Sequence, residues 1–306
     1  MITTLILKII SLAMIMAMGW AAVKCRALKS EDSKGLSRLS LFLVMPCVIL
    51  SSFQVEYTDD VKNGLLLALG ASVVIHVFLL MLGTVLKKVL KLDPIELTSV
   101  IYPNAGNLVV PLVSSVLGKE WVIYTCAFST VQRILLWSHG KAVLCGEKDF
   151  NFRKILLNAN MIAIFAGAIM FFARIRFPAL IGDAVDNVGG MIGPLAMLVV
   201  GMLIADQDLG KLFVYKRVWL VAFLRLIVVP LLVIAFLKFS GIAGLASGGE
   251  RVLLVTLLAT TTPAATTLTQ FAQVYGKDAK YACAINVLTT MLCIATIPIM
   301  VALYQM

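Results

Sequence analysis

Two stretches decide how this chain is read: Tyr102-Pro103-Asn104-Ala105-Gly106-Asn107 and Thr260-Thr261-Thr262-Pro263-Ala264-Ala265-Thr266-Thr267. Each lies inside a long apolar run and sets a proline among small and polar residues. Proline removes an amide donor and clashes with the preceding turn, so a helix that carries it breaks. In hydrocarbon the freed backbone groups need partners, which small and polar neighbours or water supply. The two prolines lie 160 positions apart, at 103 and 263. Similar short turns follow both, Gly118-Lys119-Glu120 and Gly276-Lys277-Asp278. Pro46 and Pro194 form another mid-run pair. The chain therefore reads as two related halves, about 1–145 and 151–306. Paired interrupted helices in repeated halves point to a secondary transporter, with the site where the breaks cross.

Composition agrees. Of 306 residues 61% are hydrophobic and 14% charged, and the mean hydropathy is +1.00. A soluble domain has about 45–50% apolar and about 25% charged residues. A soluble enzyme, a secreted disulfide scaffold and a disordered chain are excluded. Ten apolar segments follow one another: Ile2–Val23, Leu36–Phe53, Gly64–Leu86, Leu97–Leu117, Trp121–Leu144, Ile155–Phe172, Val185–Ala205, Val218–Phe239, Val252–Tyr275 and Tyr281–Leu303. Connections are short, so no soluble domain is inserted. The runs are too long and too uniformly apolar for barrel strands, which leaves helices. Lys8 interrupts the first run and no small-residue cleavage site follows it, so it reads as a membrane helix and not a signal peptide. The expected fold is an all-α polytopic membrane protein of ten transmembrane helices, a 5+5 inverted repeat in which helices 4 and 9 are broken and cross. Five is odd, so the halves insert with opposite topology.

The net charge of +10 reads as basic loops facing an anionic leaflet, not as a nucleic-acid surface. Alternate connections, around Lys24–Arg38, Lys87–Lys91, Lys141–Lys154, Lys211–Arg217 and Lys277–Lys280, hold 17 Lys and Arg. The intervening set, Lys62, Lys119, Arg174, Arg176, Lys238 and Arg251, holds 6. The richer side is cytoplasmic by the positive-inside rule, which places both termini outside the cell membrane. The six cysteines form no CxxC pair and read as free thiols, without a metal or cofactor. No HExxH, GxSxG or paired catalytic aspartates appear, so no enzyme is expected.

At these residues the chain resembles the auxin efflux carrier family. Pro103-Asn104-Ala105-Gly106-Asn107-Leu108-Val109-Val110-Pro111-Leu112 is similar to that family's fourth helix, although the family often carries glycine where Val109 stands. Gly193-Pro194-Leu195-Ala196-Met197 with Gly201-Met202-Leu203 resembles a second family stretch. Tyr275-Gly276-Lys277-Asp278, followed by Thr289-Thr290 to Ile297-Pro298, resembles its C-terminal end. The short connection near Cys145 to Lys154 is similar to that of prokaryotic members. The resemblance implies a sodium/proton-antiporter-like or bile-acid-symporter-like fold. It implies a scaffold of helices 1, 2, 6 and 7 and a mobile transport domain of helices 3, 4, 5, 8, 9 and 10. It also implies elevator-type transport and a homodimer through the scaffold.

The expected substrate-binding residues follow from the breaks. Pro103, Gly106, Asn104 and Asn107 form the first, and Thr262, Pro263, Thr266, Thr267 and Gln270 the second. Gln132 and Arg133 lie in the helix after the first break, and Asn286 on the tenth helix. Arg133 is expected to counter an anionic substrate. Arg225 is weighed against pairing with a carbonyl of a neighbouring helix, and His76 and His139 against simple packing. No Asp or Glu stands in the middle of any segment. A cation/proton antiporter needs such a carboxylate at the crossover and is disfavoured. The expected substrate is a small organic anion, auxin-like or a mono- or dicarboxylate; sodium or proton coupling stays open. A membrane sensor that binds an organic acid without moving it is the alternative.

Overall fold

The computed structural model describes residues 2–146, 157, 159–205 and 216–306. The described residues are helical, and their one β-type feature is an isolated bridge. In chain order the helices are α1 (Ile2–Lys24), α2 (Ser33–Leu39), α3 (Met45–Ser52), α4 (Asp59–Leu90), α5 (Pro94–Ile101), α6 (Val110–Val116), α7 (Val122–Leu135), α8 (Lys141–Cys145), α9 (Ala159–Phe172), α10 (Ala179–Gly189), α11 (Ile192–Ala205), α12 (Lys216–Phe223), α13 (Val229–Phe239), α14 (Gly249–Thr260), α15 (Thr266–Val274) and α16 (Ala279–Gln305).

Among the described residues five stretches are long and apolar enough to cross a membrane: Ser30–Ser52, Asp59–Leu90, Ala179–Ala205, Lys216–Phe239 and Ala279–Gln305. The fourth and ninth segments fall short because each is cut at its proline, into α5 and α6 and into α14 and α15. The cuts lie where the sequence set them. Short π-helical turns join several pieces. Those at Ser40–Val44, Ala105–Val109 and Leu224–Val228 each end two residues before a proline, Pro46, Pro111 and Pro230. A wider turn relieves the clash between a proline ring and the carbonyl of the turn before it.

Local signals set the helix ends. Thr58 accepts from the Val61 amide, and Asp59 and Asp60 follow in the first turn of α4. This favours the positive helix N-terminus and carries α4 a turn beyond its expected limit at Gly64. Asp93 and Glu96 form a reciprocal capping box around Pro94 at the start of α5. Asp278 caps α16 through the Tyr281 amide.

Packing divides by neighbour. α1 lies against α11, and α3 against α9 and α10. The α1–α11 crossing depends on glycine. A Cβ on Gly201 would clash with the Met16 carbonyl oxygen, and one on Gly19 with that of Leu198. Such close backbone approach is how membrane helices gain packing without a hydrophobic driving force between them. Elsewhere α4 packs on α7 and α14, and α16 touches α5, α12, α13, α14 and α15 and also reaches α1.

A buried ionic knot joins the ends of that second set. Glu96 is fully buried at the start of α5. Arg217 grips it bidentately, Nε to Oε1 and Nη2 to Oε2, each at 2.5 Å. Arg217 also donates to the Lys91 carbonyl at 3.1 Å, and the Tyr281 hydroxyl donates to Glu96 at 2.7 Å. One carboxylate thus ties α5, α12 and α16 together. Only the carboxylate is fully buried, since the Arg217 side chain is 48% exposed, so loss of Arg217 strands a buried charge whereas loss of Glu96 leaves an arginine that water can reach.

Candidate functional site

The two breaks meet. Pro103 and Ala264 form an antiparallel bridge. The Asn104 amide donates to the Pro263 carbonyl at 2.8 Å, and the Ala265 amide to the Tyr102 carbonyl at 3.0 Å. The unwound segments therefore supply each other with the backbone bonds that proline took away. Neighbouring helices complete the accounting that a buried backbone requires. Gln132 on α7 donates from Nε2 to the Pro103 carbonyl. Asn286 on α16 donates from Nδ2 to the Ala264 carbonyl at 2.6 Å. The Thr289 hydroxyl accepts from the Ala264 amide at 3.2 Å.

Arg225 is the largest fully buried side chain among the described residues. It sits in the π-turn between α12 and α13. Its Nη1 donates to the Val100 carbonyl at 3.0 Å, its Nε to the Thr262 carbonyl at 3.0 Å, and its Nη2 to the Thr260 carbonyl. These carbonyls terminate α5 and α14, the two half-helices that run into the crossover. Helix C-termini carry partial negative charge, so one guanidinium neutralises both. Arg225 thus pairs with carbonyls, the second of the two roles weighed for it.

The opposite ends differ. The half-helix after the first break begins at Ala105 and that after the second at Thr266, and both N-termini carry partial positive charge. No Asp or Glu occurs from 101 to 116 or from 260 to 275. Asn104 stands at the first of these ends, 7% exposed, and its side chain makes no capping bond.

The other expected residues are placed as follows. Pro103, Pro263 and Thr262 are buried in the crossover, and the Thr262 hydroxyl donates back to Ala259 at 2.8 Å. Thr266 and Thr267 are half-buried in the first turn of α15. Arg133 is half-buried in the last turn of α7, directly after Gln132. The side chains of Gly106, Asn107 and Gln270 lie outside the described residues, as do Lys148, Arg153 and Lys154 of the central connection. His139 bonds the Tyr102 hydroxyl at 2.8 Å, and His76 the Ser72 carbonyl at 2.7 Å.

Two features were not expected from the sequence: the convergence of Arg225 on both half-helix ends and the burial of Glu96. The Asp93–Glu96 capping box signalled that Glu96 is structural. Nothing local marked Arg217 or Tyr281 as its partners.

An all-helical chain with long apolar spans and two crossing helix breaks defines a multi-pass membrane transporter. The chain belongs to the membrane transport protein family, that of the auxin efflux carriers, whose profile matches residues 4–149 and again residues 148–301. No curated protein matches it. As transporters, members of this family are not enzymes.

Proposed function

We propose that this chain is a secondary transporter that moves a small organic anion across the cytoplasmic membrane by elevator-type alternating access. The observation that carries the reading is the unequal treatment of the half-helix ends. The negative ends share Arg225, whereas the segments that carry the positive ends contain no carboxylate of their own. Helix N-termini in carboxylate-free segments favour an anionic ligand. Its carboxylate takes the place that a fixed Asp or Glu holds in a cation antiporter. Asn104 and Asn107 supply amide contacts, with Gly106 for close approach; Thr266, Thr267 and Gln270 line the second side, and Arg133 adds a cation. Gln132 and Asn286 hold the unwound backbone in position.

Two family matches in tandem support ten spans in a 5+5 inverted repeat. The glycine-mediated α1–α11 contact supports a rigid scaffold of helices 1, 2, 6 and 7, and the Glu96 knot supports a second body that moves as a unit. In the proposed orientation both termini lie outside. The partners are the lipid bilayer, the organic anion and a second copy through the scaffold helices.

Counterflow in proteoliposomes tests this reading. Proteoliposomes that carry the purified protein and are preloaded with unlabelled malonate, malate or indole-3-acetate are expected to accumulate the same labelled anion transiently. A sensor binds the anion and gives no counterflow.

A further inference from the structure

A cavity of about 210 Å³ lies away from the crossover. One wall is Leu12 and Ile15 of α1, Ser51 and Ser52 of α3, and Gly193 of α11; the other is Pro111 and Ser114 of α6. It therefore separates the helices assigned to the scaffold from the half-helix that leads out of the first break. That half-helix ends at Gly118, whose φ of +115° suits glycine alone, and the chain turns there into Lys119. Lys119 and Asp186 both line the cavity and are partly exposed, with side-chain accessibilities of 61% and 45%. Lys119 Nζ lies 3.2 Å from Asp186 Oδ2. The Ser51 hydroxyl donates to the other oxygen, Oδ1. The pair spans the two walls, with Asp186 and Ser51 on one and Lys119 on the other.

We infer that Lys119 is the docking cation for the transported anion at the mouth of this cavity, and that Asp186 is its exchangeable counter-ion. This rests on the reading of the chain as an anion carrier. In the resting state Asp186 holds Lys119. An incoming carboxylate takes over the ammonium, and Asp186 keeps its bond from Ser51, so the released carboxylate is not left without a partner. Exposed ion pairs are weak, so the exchange is readily reversible. Asp186 thus competes with substrate for Lys119 and acts as a specificity-determining residue: anions too weakly attracted to displace it are held back. The cavity wall is mixed, with the hydroxyl-bearing Ser11, Ser51, Ser52 and Ser114 set among apolar residues such as Leu12, Ile15 and Val122, which suits a small anion with an apolar body.

The two charges should act with opposite sign on KM for an anion offered from the Lys119 side. Asp186→Asn removes the competitor and is expected to lower KM roughly two- to five-fold. Lys119→Gln removes the docking charge and is expected to raise KM by a similar factor. The double variant should match Lys119→Gln, and Lys119→Arg should stay near wild type. KM for the anion offered from the opposite side should not change. The measurement is uptake of labelled malonate, malate or indole-3-acetate into vesicles of defined orientation, with melting temperatures recorded for each variant. KM values that shift in the same direction, that do not shift, or that give way to a change in maximal rate alone overturn the inference and leave the pair as a brace between walls. Wild-type vesicles that take up none of the three anions overturn the carrier reading and this inference with it.

Discussion

At the residue scale, the two arginines within membrane spans carry different expectations. Arg225 holds three backbone carbonyls from two half-helices. A buried acceptor left unsatisfied costs about 1–3 kcal/mol. Arg225→Gln retains at most part of this set, so the variant is expected to lose several degrees of melting temperature together with transport. Lysine keeps the charge and loses the planar fork, and Arg225→Lys should fall between. An Arg225→Gln protein with wild-type stability would show that the crossover does not depend on these bonds. Arg133 carries the opposite expectation. If it meets the substrate, Arg133→Lys retains weak uptake, and Arg133→Gln loses nearly all of it while melting as wild type does. Stable, fully active Arg133→Gln would leave the attraction to the half-helix N-termini and Asn104. Sequence alone marked both arginines as unusual and assigned Arg133 to the substrate, but it could not name the carbonyls that hold Arg225. The carbonyls that claim Arg225 lie 35 to 125 positions away and become its partners only when the breaks cross.

At the scale of elements, the breaks were legible because proline acts through its own ring and missing amide, which are local properties. The caps at Thr58, Asp93 and Asp278 are local too, each to an amide two or three positions on, though they went unread. The bridge between Pro103 and Ala264, the Glu96 knot and the Lys119–Asp186 pair were not legible, since each joins elements remote in sequence. Glu96, Arg217 and Tyr281 come together only in the fold. The α1–α11 contact gives a prediction here. Gly201 lies where a side chain would run into the Met16 carbonyl. Gly201→Val must push the two helices apart. Overpacking of this kind typically costs about 1–3 kcal/mol, so a lower melting temperature is expected. Gly70, with nothing near its missing side chain, is the control: Gly70→Ala should melt as wild type or slightly higher. Equal melting of both variants and wild type would contradict the close contact.

At the scale of the whole molecule, the account reduces to a distribution of charge. One cation is committed to the negative ends of the crossing helices, and the stretches that carry the positive ends, 101–116 and 260–275, contain no Asp or Glu, which is the basis for proposing an anionic ligand there. An anion that binds there completes the crossover. Isosteric Asn104→Asp tests this most directly, because it sets a fixed carboxylate at the first positive end with little change of shape. The measurement is binding of malonate, malate and indole-3-acetate to wild type and variant by thermal shift, with indole-3-acetamide as the uncharged comparison. Ligands that bind the folded state raise its melting temperature by mass action. The account predicts that at least one of the three anions stabilises the wild type, that the amide does not, and that Asn104→Asp folds normally and no longer responds to the anion. A variant that binds the anion as tightly as the wild type would contradict it.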